Sequence, residues 1–453
     1  MNLRERRIVV RNLQRPFEKF FNKISGGGII LMIVSLLALI WANSDAHNYY
    51  DLIWNNDLSF SFEQFEIHHS LLYWINDGLM TIFFFLVGLE IKREFLAGEL
   101  SSFKKAVFPF FAAAGGMLLP MILYFSFGLQ GEQSQGWGIP MATDIAFSLA
   151  ILSMLGKKVP LSIKVFLTAL AIVDDLGALL VIALFYSHQI YWGYLLAAAI
   201  LLLILVVANY FDVQLITLYA IVGFLIWFMF LESGVHPTIA GVLIAFTVPA
   251  RTKVQINRFI PKIKWRLKKF SDLPGNDSSF VLSNEQLHAI DDIEDLVSEV
   301  QSPLQKMEHR LSGLVNYFIL PLFALANAGV TILAPNSPLS SISQIFTSLS
   351  LAIAISLVLG KVIGISLFSW LAVKTGLAHK PNNVSWLTIT GLGLLGGVGF
   401  TMSLFIANLA FISPELLDQA KVGIFTGSIV AGFAGYYLLK YSLNKNYKLA
   451  AKK

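Results

Sequence analysis

Long apolar runs separated by short polar connections dominate the hydrophobic pattern of this chain. Twelve runs can be marked, and most are long enough to cross a bilayer as a helix, which takes about 20 residues. Hydrocarbon offers no partner for backbone N–H and C=O groups, so runs this long and uniform predict helices rather than barrel strands. The twelve predicted spans fall roughly at 26–43, 71–91, 105–128, 137–156, 160–187, 190–210, 213–231, 235–249, 312–333, 347–373, 384–412 and 416–440.

Lysine and arginine occur in alternate connections between these spans. The leading tail has seven, the connection at 44–70 has none, and the alternation continues to a lysine-containing C-terminal tail. Cytoplasmic loops carry the excess of Lys and Arg, so both termini are predicted to be cytoplasmic. The predicted regions are a basic cytoplasmic tail at 1–24, spans 1–8 within 25–249, a charged cytoplasmic insert at 250–310, spans 9–12 within 311–441, and a second basic tail at 442–453.

Two connections are long. The external one, 44–70, alternates aromatic and polar residues at 57–67, which predicts a small hairpin. Either a dimer contact, giving a homodimer, or a cover over the helix ends would account for this loop. The cytoplasmic insert opens with eight basic residues at 251–269, which are expected to bind anionic lipid headgroups. An acidic amphipathic helix, capped by Asn284, is then expected to continue into the ninth span.

Composition supports the membrane assignment. The chain is 56% hydrophobic and only 13% charged, whereas soluble domains carry about 25% charged residues. The absence of cysteine excludes disulfides and thiolate metal sites. Because the basic residues follow the membrane crossings, the net charge of +5 gives no reason to expect a nucleic-acid partner.

Several ionisable residues lie well inside the predicted spans, where each costs about 2.5–3.5 kcal/mol at a helix centre. A buried polar bridge between helices is an alternative explanation for any single one, but five such residues in one chain predict an ion or proton site. They are Asp77, Asp144, Asp174, Asp175 and Lys361, with Glu90 near an inner end.

Asp174 and Asp175 are adjacent in "AIVDDLGALLVIA". Neighbours on a helix point about 100° apart, so the two carboxylates need different partners. One can meet an ion or a proton while the other meets a cation. Lys361 is the only basic residue deep in a span and is therefore the predicted countercharge. The spacing alone leaves open which aspartate takes which role.

Two spans contain features that break helices. The fourth includes Pro140, Thr143 and Asp144 in "GWGIPMATDIAFS", and the eleventh has five glycines in "GLGLLGGVGFTMS". Unwound segments expose carbonyl oxygens and half-helix ends to an ion, although the glycines are equally compatible with close helix packing. Each broken span is the middle one of a group, spans 3–5 and 10–12, and the groups start on opposite sides of the membrane. This arrangement predicts inverted repeats.

Seven motifs together resemble those of the NhaA-type sodium/proton antiporters, over about residues 15–440. They are "FFFLVGLEIKRE", "MATDIAFS", "AIVDDLGALLVIA", "SGVHPTIAGVL", "PLFALANAGV", "GKVIGISLF" and "GLLGGVGFTMSLFIA". The resemblance implies an all-α protein of about twelve helices, with helices 4 and 11 broken and crossing at mid-membrane. It also implies a transporter rather than an enzyme, without cofactors, in the bacterial inner membrane. This transporter would exchange cytoplasmic sodium or lithium electrogenically for more than one external proton, for sodium and pH homeostasis.

The resemblance also implies a role for individual residues. Asp175 would be the principal sodium ligand, with Thr143 nearby, and Asp174 would pair with Lys361 when sodium is absent. Asp144 would balance charge at the helix crossing. The positions linked to the pH response are Glu90, Arg93, Glu94, His236, Glu308 and His309. Two departures lie in this pH-response region: Ser312-Gly313 stands where the family pattern has His-Pro, and the insert at 250–306 is longer than usual.

Three other functions fit these residues less well. An intramembrane aspartyl protease needs two carboxylates converging on one water, so it would have to combine Asp144 with one of the adjacent pair, and Lys361 would have no role. A sodium channel would favour symmetric rings of groups over one lysine beside an aspartate pair. A membrane scaffold would tolerate neutralisation of all five buried charges.

Overall fold

The computed structural model of the protein describes residues 26–62, 65–98, 100–156, 159–187, 189–252, 254–273, 281–331, 346–381 and 384–451. The predicted basic tail at 1–24 lies outside the described residues. In the part that is described the chain is almost wholly helical, with one β-hairpin. The predicted all-α membrane class is therefore confirmed.

The helices are numbered here in chain order. They are α1 (Gly26–Ala42), α2 (His47–Asn55), α3 (Leu71–Ala97), α4 (Phe103–Ser126), α5 (Ile145–Met154), α6 (Leu161–Phe185), α7 (Trp192–Tyr210), α8 (Ile216–Ser233), α9 (Thr238–Thr247), α10 (Ile256–Ser271), α11 (Asn284–Val300), α12 (Pro303–Asn327), α13 (Ser348–Lys374), α14 (Trp386–Gly396), α15 (Phe400–Ala410) and α16 (Pro414–Ala451). A 3-10 helix, Gly131–Met141, precedes α5.

Eight of the described helices are long and apolar enough to cross a membrane: α3, α4, α6, α7, α8, α12, α13 and α16. Three bent pairs raise the count to as many as 11. The predicted eighth span, 235–249, contains only the short apolar helix α9, which has 10 residues. A multi-pass membrane protein is thus confirmed, while the total of twelve spans stays a prediction.

Two of the bent pairs coincide with the predicted broken spans. The 3-10 helix and α5 meet at 45° across residues 142–144, and α14 and α15 meet at 45° across residues 397–399. In the first, Pro140 lacks the backbone donor that a continuous α-helix needs. In the second, glycines occupy two of the three positions of the break. The breaks bring the N-terminal ends of α5 and α15 close together inside the protein.

Close packing between α4 and α13 positions the buried lysine. A Cβ atom added at Gly115 would collide with the carbonyl oxygen of Gly364, and one added at Gly364 would collide with that of Gly115. The two backbones therefore touch, as small residues allow in membrane helix pairs. Lys361 lies on α13 three residues before Gly364, next to this contact, and is 0% exposed.

The hairpin predicted within 44–70 is present. Strand β1 (Asp57–Phe62) pairs antiparallel with β2 (Phe65–Ser70), with Asp57 opposite Ser70. Helix α2 precedes it, which the alternating pattern did not predict.

The charged insert forms two helices, α10 and α11, and here two expectations were wrong. The cap of α11 is Ser283, not Asn284: its hydroxyl accepts a hydrogen bond from the Gln286 amide at 3.2 Å, and the Gln286 side chain accepts one from the Ser283 amide. The helix also does not continue into the ninth span, because it ends at Val300. A proline disfavours helical geometry at the residue before it, so Pro303 makes α12 begin anew behind its own cap, Ser302.

Candidate ion site

Asp144 lies where the two broken spans cross and caps a half-helix of each. One carboxylate oxygen accepts a hydrogen bond from the Phe147 amide of α5 at 3.0 Å. The other accepts from the Thr401 amide of α15 at 3.0 Å and from the Thr401 hydroxyl. The N-terminal end of a helix favours negative charge, so this single carboxylate stabilises both helix ends at once.

Further hydrogen bonds between the broken spans are reciprocal. The Ser148 hydroxyl of α5 donates to the Leu395 carbonyl of α14 at 2.7 Å, and the Ser403 hydroxyl of α15 donates to the Ile139 carbonyl of the 3-10 helix at 2.8 Å. Each second half is thus tied to the first half of the other span. The crossing forms one packed unit.

Asp174 of α6 is paired with the buried lysine. Its Oδ2 accepts a hydrogen bond from Lys361 Nζ at 2.5 Å and lies 2.6 Å from the Thr143 hydroxyl. Both charged side chains are 0% exposed. The Thr143 oxygen also accepts from Lys361 at 2.9 Å and lies 2.8 Å from the Gly396 carbonyl. A hydroxyl has one proton, so Thr143 donates to either Asp174 or Gly396. The fourth span contacts the ion pair through Thr143, and the eleventh span contacts Thr143.

Asp175 is in a different setting. It is 1% exposed, and neither of its carboxylate oxygens has a hydrogen-bond partner among the described residues. It lines a cavity of about 40 Å³ together with Asp144, Thr401 and Glu90. A buried carboxylate without partners is costly, so it is expected to take up a proton or a cation.

The chemistry of this cavity suits a hard cation that binds oxygen ligands. In the described part of the chain, no three histidine or acidic side chains converge closely enough to form a metal centre. Sodium would therefore need Asp175 together with hydroxyls, carbonyls or water. In this structure Thr143 does not line the cavity of Asp175. Its hydroxyl lies 2.6 Å from Asp174 Oδ2.

Four of the residues predicted to take part in a pH response gather near one end of α3. Arg93 lies 3.2 Å from Glu94 and 3.1 Å from Glu308 of α12. Glu90, one turn earlier on α3, lines the cavity of Asp175. His309 follows Glu308 and is exposed. The cluster therefore lies beside the cavity of Asp175.

His236 lies elsewhere and contacts another buried carboxylate. Its Nε2 is 3.4 Å from Asp77, and its Nδ1 is 3.0 Å from the Thr238 hydroxyl. Asp77 and Arg93 are sixteen residues apart on α3, which is roughly 24 Å at about 1.5 Å per residue. The residues predicted to take part in a pH response thus form two separate groups.

Sequence reasoning missed two contacts. It did not identify Thr401 as a partner of Asp144, although a residue just after a helix break is where free backbone donors begin. It recognised Asp77 and His236 as unusual but did not connect them. Both are ionisable groups within predicted spans, where such groups usually pair with one another. This tendency was the signal available in the sequence.

Comparison with known proteins gives a consistent result. The chain matches the family model described as Na+/H+ antiporter 1 over residues 18–439. It is 46% identical to a protein named Na(+)/H(+) antiporter NhaA from Oleidesulfovibrio alaskensis, over 96% of this chain and 95% of that protein. It is 44% identical to a protein of the same name from Bacteroides fragilis, over 95% of this chain and 99% of that protein. The sequence-based resemblance is confirmed, and the chain belongs to the Na+/H+ antiporter 1 family.

Proposed function

We propose that this protein is a secondary transporter, not an enzyme, that expels cytoplasmic sodium or lithium in exchange for external protons. The names of its relatives, Na+/H+ antiporters, support the exchange. The observation that carries the proposal is the contrast between adjacent carboxylates. Asp174 is neutralised by Lys361, whereas Asp175 has two unpartnered oxygens in a cavity.

The first step is competition at Asp175. A carboxylate accepts either a proton or a sodium ion, so sodium arriving from the cytoplasm displaces the proton. A water needs about 10–15 Å³, so the cavity of about 40 Å³ has room for an ion with one or two waters. Dehydrating sodium is costly, and the oxygens of Asp175, Thr143 and nearby carbonyls replace its water shell.

A second proton comes from the buried ion pair. Sodium draws Asp174 and the Thr143 hydroxyl toward itself, and Lys361 then loses its countercharge. A buried ammonium without a partner is unfavourable, so Lys361 releases a proton. One proton from Asp175 and another from Lys361 leave for each sodium, and the exchange is therefore electrogenic. Activity falls at acid pH because protonated carboxylates do not bind sodium.

Alternating access follows from inverted repeats within a twelve-span protein whose termini are cytoplasmic, in the bacterial inner membrane. Two features support the repeats: each broken span is interrupted for three residues and bent by 45°, and the serine–carbonyl bonds between them are reciprocal. Since these bonds make the crossing one unit, it rocks as a rigid body and carries Asp174 and Asp175 with it.

The cluster of Glu90, Arg93, Glu94 and Glu308, with exposed His309 beside it, regulates transport in response to cytoplasmic pH. Its position next to the Asp175 cavity supports this role, because protonation there changes the charge that an entering sodium ion meets. The pair of His236 and Asp77 is a second pH-sensitive group, remote from the first.

Two surfaces bind partners in this proposal, one the lipid headgroups and the other a second copy of the protein. Helix α10 carries six of the eight residues of the basic block and also exposes Trp265 and Leu267, a combination typical of helices that lie on anionic membranes. The hairpin of β1 and β2 is the proposed contact for a homodimer.

Protease chemistry is disfavoured by the partners of Asp144. Both of its oxygens already accept hydrogen bonds from the ends of α5 and α15. It is therefore not free to share a nucleophilic water with Asp175 as an aspartyl dyad requires.

The proposal is tested by Asp175→Asn in everted membrane vesicles, with sodium-driven dissipation of a pH gradient as the readout. The variant is expected to lose exchange, because an amide cannot replace the carboxylate charge. Asp212→Asn, at an exposed turn, is the matched control and is expected to retain it. Undiminished exchange in Asp175→Asn at normal expression would refute the assignment. Sodium current without coupled proton movement would instead indicate a channel.

A further inference from the structure

An apolar groove lies between α1, α5 and α16. Its volume is about 500 Å³, within the range of small-molecule sites, roughly 300–1,000 Å³. Leu36 of α1 and Ile429 of α16 line it, together with Phe147 and Phe400 of the second halves of the broken spans. The groove is separate from the cavity of Asp175.

The groove offers almost nothing to a polar ligand. Its two serines are already hydrogen-bonded: Ser35 donates to the Leu31 carbonyl at 2.6 Å, and the Ser428 oxygen accepts from the Phe400 amide at 3.2 Å. Apart from tyrosines at one end, the rest of the lining is hydrocarbon, aromatic or thioether. The matching ligand is therefore a hydrocarbon chain.

The groove opens toward the lipid. Leu36 is 59% exposed, Ile429 57% and Phe433 64%, and all three belong to helices within predicted spans. In a membrane these side chains face acyl chains, not water. The bilayer is thus the source of the hydrocarbon.

One end of the groove carries a positive charge. Tyr436 and Tyr437 line this end, and exposed Lys440 follows one turn later, with Nζ 5.7 Å from the centre of the Tyr436 ring. Within the described ranges Lys440 makes no ion pair. Tyrosine and lysine together are typical of the membrane–water interface, where a lysine meets anionic headgroups.

We propose that this groove binds one acyl chain of an anionic phospholipid, with the phosphate beside Lys440. The chain would pack against Phe147 and Phe400, whose ring centres are 4.6 Å apart. Because these two residues belong to α5 and α15, the lipid contacts both half-helices that Asp144 caps. The acyl chain fills the space beside the crossing of the two broken spans.

Photolabelling tests the site without requiring transport. The purified protein is placed in nanodiscs with phosphatidylglycerol carrying a diazirine on an acyl chain, and labelled peptides are located by mass spectrometry. Label is expected on the groove faces of α1 and α16, in excess over the lipid-exposed face of α7. Leu36→Trp and Ile429→Trp, which narrow the groove from α1 and from α16, are expected to remove the excess. Leu203→Trp on α7, where Leu203 is 61% exposed, is expected to leave it unchanged.

The headgroup is tested by Lys440→Gln. This variant is expected to lower the preference for phosphatidylglycerol over phosphatidylcholine in the groove by about fivefold, the effect of one basic residue near an anionic surface. Lys374→Gln is the matched control, since Lys374 also lies over an aromatic ring, 4.5 Å from that of Trp370, but outside the groove. Label spread evenly over all exposed faces, or insensitive to both groove tryptophans, would overturn the acyl-chain site. Equal effects of the two glutamine variants would overturn the role of Lys440.

Discussion

Replacing Lys361 by methionine removes the charge that faces Asp174 while keeping most of the side-chain volume. In the native protein Asp174 Oδ2 accepts a hydrogen bond from Lys361 and lies 2.6 Å from the Thr143 hydroxyl, and Oδ1 has no partner among the described residues. In Lys361→Met the carboxylate keeps only the Thr143 hydroxyl, whose one proton the Gly396 carbonyl can also accept. We therefore expect a large loss of stability.

The size of the loss follows from burial. Both partners are 0% exposed, so neither water nor salt screens the uncompensated carboxylate. Removing one partner of a buried pair costs about 3–5 kcal/mol. The cost should shrink at acid pH, because protonated Asp174 has no charge that needs a partner. Adding Asp174→Asn to Lys361→Met should restore most of the stability for the same reason.

The assay is denaturation in detergent micelles of the wild type, both single variants and the double variant, giving a double-mutant cycle for the free energy of unfolding. Lys269→Met is the control, since Lys269 and Asp292 are about half exposed and 3.9 Å apart, and such a pair contributes about 0–1 kcal/mol. If the effects of Lys361→Met and Asp174→Asn simply add, the two residues are not coupled and the reasoning fails.

Three further outcomes are expected. Thr401→Val removes a hydroxyl bond to charged Asp144 and should cost about 1.5–3 kcal/mol in the same denaturation assay, whereas Thr401→Ser should lose little; equal losses would argue against the hydrogen bond. Gly115→Val drives a side chain into the backbone of α13 and should prevent normal folding, judged by yield and size-exclusion profile, whereas Gly193→Ala, which meets nothing within 4 Å, should fold normally. Glu308→Gln leaves one fewer negative charge to attract protons, so the onset of exchange should move to lower pH by roughly one unit. An unchanged pH profile in vesicles would separate Glu308 from the pH response.

The amino-acid sequence by itself determined the class of the protein and the inventory of its unusual residues. Helical spans depend on apolar runs, and the breaks in the fourth and eleventh spans depend on local proline and glycine, so both are readable along the chain. The same holds for the hairpin at 57–70. Local reasoning failed at the insert, where the cap lies at Ser283 rather than Asn284 and Pro303 separates two helices that the pattern had joined.

Only the tertiary structure decided which buried groups meet. Lys361 and Asp174 are 187 positions apart, and Thr401 and Asp144 are 257 apart. Spacing on one helix shows that adjacent aspartates diverge, but the rotation and packing of other helices determine what each one faces. The glycine contact between α4 and α13 lets the backbones touch next to Lys361, whose ammonium pairs with Asp174 of α6. Asp175, its neighbour on α6, faces the cavity instead.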